Sequence, residues 1–596
     1  MNYQAFLGVE RSISGFRWLS LLGQEEINRA LAITQKHAIP DLVARVLVGR
    51  HVSIDCAEEF LNPSIRSLMP NPLTLTDCDK AARRIVQAIY NSEKIAILGD
   101  YDVDGAASVA LMMRFFSYYG VDSKMYIPDR ILDGYGPNPD LMKKIIDEGA
   151  QLIITVDCGS TSHESLQFSA NQGIDVIVID HHQMKTEETP AYALVNPNRS
   201  DDLSGQGHLC AAGVVFLVLV MICRILQQDN KIPIKYFDLL SLLDLVALAT
   251  VCDVVPLIDL NRAYVTKGLL VSRKQGNPGL KALIERINLS APITADNLGF
   301  MIGPCINAGG RIGEANLGSR LLISDDPQEL EAIAMKLDVL NQNRRLMESA
   351  MLEQAEVEVL AQYEHMQQAS IIVVAGDQWH PGIVGLLAAR LKEKFDRPSF
   401  AISFDESGKG IGSGRSIEGF DIGKMVSFAV EEGILLKGGG HAMAAGLTVE
   451  RVNFNRLRDF FQAFANKRMS SLVSMPVLKI DGALNASAVN IKLIEMLESA
   501  GPYGSGNPRP VFAFPSHKLE NVRIVKLNHL QMTFKSQDSE VLQGIAFRVY
   551  GTPLGEFLMQ SHGKWMHVIG HLCVNHWRGS KRAQLRVLDA APVEDH

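Results

Sequence analysis

Residues 94–105 read Lys94-Ile95-Ala96-Ile97-Leu98-Gly99-Asp100-Tyr101-Asp102-Val103-Asp104-Gly105. Ile95–Leu98 is a short apolar run closed by Gly and Asp, the pattern of a strand buried on both faces. Three aspartates then alternate. In extended chain alternate side chains share a face, so Asp100, Asp102 and Asp104 can converge. Gly105 lets the chain turn into Ala106–Tyr119, which is rich in small and apolar residues and of helix length. The N-terminus of such a helix favours anions.

The same grammar repeats downstream. Leu152–Asp157, Val176–Asp180 and Ala193–Asn196 read as further buried strands, and apolar helices are expected at about 210–227 and 237–251. Strand alternating with helix implies an α/β domain with a parallel sheet covered on both faces. Ligands of such sheets bind outside the carboxyl ends of the strands. That edge collects Asp157, from Thr155-Val156-Asp157-Cys158-Gly159, and the triplet Asp180-His181-His182. Asp253 follows the helix that ends near Val251. A lone Asp at a strand end is more often a helix cap than a ligand, and paired histidines are commonly surface or core residues. Four such motifs at the ends of apolar elements shift the balance to a metal site. Carboxylates packed this closely repel one another unless cations neutralise them. Mixed carboxylate and imidazole ligands suit manganese, iron or zinc better than calcium. Several carboxylates sharing one site suggest two ions roughly 3.5–4 Å apart, as in phosphoryl transfer.

The motifs resemble those of the DHH phosphoesterase superfamily: Asp102-x-Asp104-Gly105, Val156-Asp157-Cys158-Gly159, Asp180-His181-His182 and Thr250-x-x-Asp253. Their order and spacing are similar to the RecJ branch. The resemblance implies that Asp102, Asp104, Asp157, His181 and Asp253 are metal ligands, with Asp157 and Asp104 bridging two ions. It implies that His182 faces the scissile phosphate, that Asp100 and Asp180 orient ligands, and that Cys158 is a small packing residue.

Beyond the first domain, residues 324–366 are almost free of Gly and Pro and predict one long helix of roughly 60 Å at 1.5 Å per residue. A second α/β unit opens with Ser370–Ala375. Its motifs Trp379-His380-Pro381-Gly382, Gly412-Ser413-Gly414-Arg415-Ser416 and Gly438-Gly439-Gly440-His441 resemble the DHH-associated domain. Glycine runs permit close backbone approach and expose N–H groups to an anion. His380, Ser413, Arg415, Ser416, Gly439, Gly440 and His441 are therefore expected to contact substrate. Trp379 can stack on a base or sit in the core. Gly303-Pro304-Cys305-Ile306-Asn307-Ala308-Gly309-Gly310-Arg311 resembles a RecJ segment, but the family often carries Arg where this chain has Cys305. Asn307 and Arg311 remain as substrate contacts, and Arg311 is assigned to the 5′-terminal phosphate. From about 477 short alternating strands (Val477–Ile480, Val541–Val549, Trp565–Val574, Gln584–Leu588) predict a small β-barrel. Gly501-Pro502-Tyr503-Gly504-Ser505-Gly506 resembles the lead-in to the RecJ oligonucleotide-binding (OB) fold. His576-Trp577-Arg578 and Lys581-Arg582 combine an aromatic platform with positive charge.

The expected organisation is an N-terminal extension (1–75), a DHH catalytic domain (76–323), the long helix (324–366), a DHH-associated substrate-binding domain (367–470) and an OB-type domain (471–596). The resemblance implies a single-stranded-DNA exonuclease that steps 5′ to 3′ and releases 5′-mononucleotides in recombination and repair. Manganese is the expected metal and magnesium the alternative. The implied partners are single-stranded DNA, a single-strand-binding protein and a RecQ-type helicase. Two other readings remain. One is a small-substrate DHH enzyme, an inorganic pyrophosphatase or a phosphodiesterase acting on short oligonucleotides or cyclic dinucleotides. The other is a non-catalytic binding module, against which stands a full set of ligand positions.

Bulk composition agrees with several domains. The chain has 596 residues, 47% apolar and 21% charged, in the range of globular proteins. A net charge of −8 argues against a basic coat for bulk nucleic-acid binding, whereas residues from Ser516 onward carry ten Lys and Arg against seven Asp and Glu. Eight Cys without a C-x-x-C pair argue against a disulfide framework or zinc ribbon. A cytoplasmic monomer with neither signal peptide nor membrane span is expected, because the apolar run Cys210–Cys223 is short of the roughly 20 residues a span needs.

Overall fold

A computed structural model describes the chain except for residues 1–3, 130–135, 185–188, 230–236, 275, 290–291, 363–368, 470–475, 527, 578–579 and 594–596. The chain forms two compact units, Pro70–Val255 with Lys267–Val473, and Met1–Met69 with Pro256–Thr266 and Ser474–His596.

In the first unit, strands Ser123–Tyr126, Ile95–Gly99, Leu152–Val156, Asp175–Ile179 and Ala193–Val195 make one parallel sheet in that spatial order. Counted along the chain the order is 2-1-3-4-5, so it reverses between Ile95–Gly99 and Leu152–Val156. A reversal of this kind leaves a crevice at the carboxyl ends of the two strands. The three central strands are buried almost throughout, as their apolar runs require. The apolar run at 210–223 belongs to a 19-residue helix, Ala211–Asp229. By length and composition this helix could cross a membrane, but 72% of its apolar window is buried in the fold. It packs among helices Cys78–Tyr90, Val103–Tyr118 and Leu243–Cys252, as a core helix does.

The long helix spans Pro327–Gln362, and residues 363–366 of its expected range lie outside the described residues. Its buried stripe runs Leu330, Ile333, Ala334, Leu337, Asn341, Arg344, Glu348, Met351, Ala355 and Val359. The apolar ends of this stripe pack on the catalytic part and on the following α/β part, and the middle is polar. Asn341 Nδ2 donates to Cys305 Sγ at 3.0 Å, Arg344 donates to Asn341 Oδ1 at 2.9 Å and to Glu348 at 2.5 Å, and Arg390 donates to Glu348 at 2.8 Å. This ladder ties helix Gly303–Ile312 to helix Val384–Phe395. Cys305 is therefore a packing residue against the long helix. Glu348→Ala leaves the buried Arg344 without its carboxylate, and a loss of about 3 kcal/mol is expected, read as a lower denaturation midpoint.

The second sheet of this unit orders Lys437–His441, Ala444–Glu450, Lys409–Arg415, Ser399–Phe404 and Ile372–Asp377. The glycine clusters are strands here rather than loops. A Cβ on Gly410 would lie 2.6 Å from the Phe404 ring and one on Gly414 would lie 2.3 Å from the Phe400 ring, so these glycines let aromatic rings cover the neighbouring strand. Trp379 is buried with its Nε1 donating to Gln354 Oε1 at 2.8 Å, which settles it as a core residue.

In the other unit, strands Phe512–Val525, His529–Lys535, Val541–Ala546, Ser580–Pro592 and Trp565–Trp577 form a sheet that closes through the pairing of Phe512–Val525 with Trp565–Trp577. This is the five-stranded barrel of an OB fold. Residues 1–75, read as a separate extension, contribute their first 69 to this same unit. Strand Arg17–Ser20 pairs in parallel with Val477–Ile480, and the fully buried Trp18 donates from Nε1 to Asp589 Oδ2 at 3.1 Å. Arg262 lies 3.6 Å over the Phe60 ring and donates to the carbonyls of Phe60 and Gly501. Of the basic aromatic tail, Arg578 lies outside the described residues.

Candidate metal centre

The switch point of the parallel sheet gathers the acids. The chain leaves Ile95–Gly99 through Asp100 and enters helix Val103–Tyr118, whose N-cap is Asp102. Asp102 Oδ1 accepts from the N–H groups of Asp104 and Gly105 at 3.0 and 3.1 Å. Asp104 in turn accepts from Ala211 N at 2.7 Å and Ala212 N at 2.8 Å, capping helix Ala211–Asp229. Two helix N-termini thus aim their positive ends at this cluster, which eases the crowding of like charges. The capping and metal-site readings are not rivals here: the carboxylates that cap also converge. Asp157 follows Leu152–Val156 in the left-handed region, φ 60°, a conformation Asp tolerates better than most residues. Asp253 caps the C-terminal end of helix Leu243–Cys252.

His181 Nε2 lies 3.3 Å from Asp157 Oδ1, 3.7 Å from Asp104 Oδ2 and 3.7 Å from Asp253 Oδ2. Three sets of donor atoms each fall within 4.8 Å of one another: Asp157, His181 and His182; Asp104, His181 and Asp253; Asp100, Asp102 and Asp157. The sets share His181 and Asp157. Burial, then the charges of Asp104, Asp102, Asp100 and Asp180, push the Asp157 carboxyl well above the usual range. Burial and the charges of Asp104 and Asp102 push Asp253 up to about 8. Acids strained in this direction are the electrostatic complement of a divalent cation. The donors are carboxylate oxygens and imidazole nitrogens, a mixed set that fits a divalent transition metal such as manganese. Cys158 is buried and its thiol faces the carbonyls of Val156 and Leu98, so it offers no ligand to the group.

His182 is held differently. Its Nδ1 lies 2.7 Å from Asp180 Oδ1 and 3.9 Å from Asp157 Oδ1. Burial pulls the imidazole down, but the bond to Asp180 and the surrounding carboxylates raise it to about 9. Burial would raise the Asp180 carboxyl, yet the bond to His182, the histidine charges and the Ser160 contact hold it well below its ordinary value.

A second group lies on the antiparallel part of the second sheet. Gly439 pairs with Gly446, which pairs with Ser413; His441 pairs with Ala444, which pairs with Arg415. Residues directly opposite, and those two apart, share a face. Ser413, Arg415, Gly439 and His441 therefore line one face. A Cβ on Gly385 would lie 3.2 Å from Ser413 Oγ and 3.3 Å from an Arg415 guanidinium nitrogen, so the first turn of helix Val384–Phe395 stands beside them. Arg311 NH1 donates to Gly382 O at 3.3 Å, and His380 Nδ1 accepts from Gly382 N at 3.1 Å. Asn307 is half-buried, one turn before Arg311. Gly440 belongs to the exposed strand, with φ 153° and no room for a Cβ beside Ala444 O. Ser416 does not join the group. It is buried, and its hydroxyl donates to Phe420 O at 2.5 Å, because the alternation that brings Arg415 to this face turns Ser416 to the other.

Comparison with known proteins decides the family. The single-stranded-DNA-specific exonuclease RecJ of Dickeya dadantii is 34% identical over 572 residues, covering 93% of this chain and 97% of that protein. The chain belongs to the RecJ family. RecJ of Escherichia coli is 33% identical, with 93% and 96% covered. The crystal structure of Thermus thermophilus RecJ in complex with Mn2+ superposes with a TM-score of 0.78 at 28% identity, covering 97% of this chain and 80% of that one. Family models match the DHH family N-terminal domain at 94–250, the DHHA1 domain at 368–467 and the RecJ OB domain at 480–589. The parallel sheet, the mixed sheet and the barrel thus fall within the three matched domains, and Asp253 lies just beyond the first match.

Sequence reasoning missed the residues that hold the histidine loop of this RecJ chain. Asn196 Nδ2 donates to Ser160 Oγ and to His182 O, both at 2.9 Å, and Asn198 Nδ2 donates to His181 O at 2.5 Å. Ser160 N donates to Asp180 Oδ2 at 3.1 Å. The signal was present in Val195-Asn196-Pro197-Asn198: two amides at the carboxyl end of the last parallel strand.

Proposed function

We propose that this chain is a single-stranded-DNA-specific exonuclease that hydrolyses phosphodiester bonds from the 5′ end toward the 3′ end, releases 5′-mononucleotides and uses two divalent cations, with manganese preferred to magnesium. The observation that carries the reading is the convergence of Asp104, Asp157, His181 and Asp253 on shared donor positions at the switch point. Asp102, Asp104, Asp157, His181 and Asp253 would hold the ions. When bound, the cations neutralise charge on the phosphoryl oxygens and acidify the attacking water. Asp100 orients Asp102 and Asp157 from the strand end. His182, protonated and braced by Asp180, offers its N–H and charge to the scissile phosphate.

Arg415, Ser413 and the first turn of helix Val384–Phe395 grip the terminal phosphate, with Arg311 at the edge of that grip. A terminal phosphate carries more charge than an internal diester, so this grip selects an end. His380, Asn307, Gly439, Gly440 and His441 contact the strand that follows, and the OB domain adds a stacking groove. Because the substrate is a free single-stranded end, a RecQ-type helicase and a single-strand-binding protein are the partners that would supply it, in the cytoplasm and in recombination and repair.

The test is degradation of end-labelled single-stranded DNA, duplex DNA, RNA and cyclic dinucleotides with manganese, magnesium or a chelator. The expected result is early release of 5′-labelled mononucleotide from single-stranded DNA, most rapidly with manganese and not at all with chelator. Faster turnover of cyclic dinucleotides than of DNA would replace this reading with a small-substrate phosphodiesterase.

A further inference from the structure

Ala295–Asn297, Leu298–Ile302 and Gly303–Ile312 follow without a break as one helix, and the middle segment winds as a π turn. Such single turns recur at functional sites, because an inserted residue re-aims the side chains around it. Leu298 and Ile302 are buried, while Phe300 is 76% exposed and Met301 is 38% exposed. Among the described residues, a large aromatic ring held this far into solvent on an otherwise well-packed helix has no packing reason.

The position of the turn supplies a different one. The Cys252 thiol donates to Leu298 O at 3.4 Å, and a Cβ on Gly299 would lie 3.2 Å from Val251 Cγ1. The π turn is therefore fastened to the last helical turn before Asp253. Val254, next in the chain, is also largely exposed, with φ 59°. Further along, Gly310 approaches Tyr101 so closely that a Cβ would sit 3.0 Å from it, and Arg311 reaches Gly382 O. One helix thus runs from the Asp253 corner of the metal centre, past the aspartate loop, to the phosphate-gripping sheet. Pro304, Asn307 and Arg311 are spaced three and four residues apart, the spacing that keeps side chains on one side of an α-helix, and Phe300 lies in the π turn just before them. None of these four is fully buried.

We propose that this side of the helix is a track for the DNA strand and that Phe300, flanked by Met301, stacks on a nucleobase beside the metal centre. The occupant is a base rather than an apolar protein segment, because the same side carries Asn307 and Arg311 and begins at the carboxylates that handle the phosphate. Every base has a π face, so such a contact holds the strand without reading sequence. The inference rests on the reading of the chain as a single-strand nuclease.

The test compares Phe300→Ala, Phe300→Trp and wild type on a short oligothymidylate with manganese, with an all-abasic strand of equal length as a competitive inhibitor. Phe300→Ala is expected to raise KM for oligothymidylate about tenfold, to leave the inhibition constant of the abasic strand unchanged, and to be rescued by Phe300→Trp. An unchanged KM, or equal weakening of both strands, overturns the stacking role. Failure of the underlying reading is distinguishable, since wild type would then release no nucleotide from oligothymidylate.

Discussion

Asp157→Asn is expected to lower the nuclease turnover about 10³-fold or more while leaving the metal-free protein as stable as wild type, or more so. The amide keeps the size of the side chain and tolerates the left-handed backbone at this position. What it removes is a buried carboxylate that lies 3.3 Å from His181 and belongs to two of the three donor sets. Loss of cation-mediated stabilisation worth about 4 kcal/mol in the transition state corresponds to a factor of about 10³. The stability half follows from linkage. Folding holds Asp157 and Asp104 above the ordinary carboxyl range and Asp253 at about 8. Across the window from an unfolded value near 4 to about 8, the metal-free folded state binds more protons than the unfolded one, so its stability falls as pH rises. Asp157→Asn makes that fall shallower. Manganese at about a hundred times its dissociation constant should raise wild-type stability by about 2.7 kcal/mol, and the variant by less. Thermal unfolding across pH with manganese or chelator reads both effects. Wild-type turnover by the variant with manganese present would sink the shared role of Asp157.

Much of this site was legible because strands buried on both faces write themselves as apolar runs, and the residue after each run must lie at the carboxyl edge of the sheet. Asp100, Asp157 and the Asp180-His181-His182 triplet were placed by that rule alone. The edge strand Ser123–Tyr126 was not, since it is only half-buried and carries a lysine. Gly410 and Gly414 serve the rings of Phe404 and Phe400, partners that a local reading cannot see. Residues near the N-terminus looked like an extension because the bond from Trp18 to Asp589 joins positions 571 residues apart. Ser416 shows the opposite error. A motif was carried over whole, although strand alternation sends every second side chain of it to the other face.

His182→Gln should cost about 10²- to 10⁴-fold in turnover, the range for a positioned proton donor, with a small effect on KM. The geometry separates this residue from its neighbour. His181 is enclosed by Asp104, Asp157 and Asp253, whereas the His182 side chain is 45% exposed and fixed at one nitrogen by Asp180. A protonated imidazole carries an N–H on both nitrogens, so the bond to Asp180 does not exhaust its capacity to donate. The imidazole is raised to about 9, so the cation persists at neutral pH. Its contribution to stability is complete below the unfolded histidine value near 6.5 and disappears as pH rises through about 9. The same titration should set an alkaline limb in the rate profile. Asp180→Asn removes the hydrogen bond that most strongly raises His182, and should shift that limb toward lower pH while retaining part of the activity. His182→Gln should abolish the limb altogether. If Asp180→Asn left the limb in place, or if His182→Gln raised KM without lowering turnover, His182 would be a ground-state contact and the protonated imidazole would have no part in the chemical step.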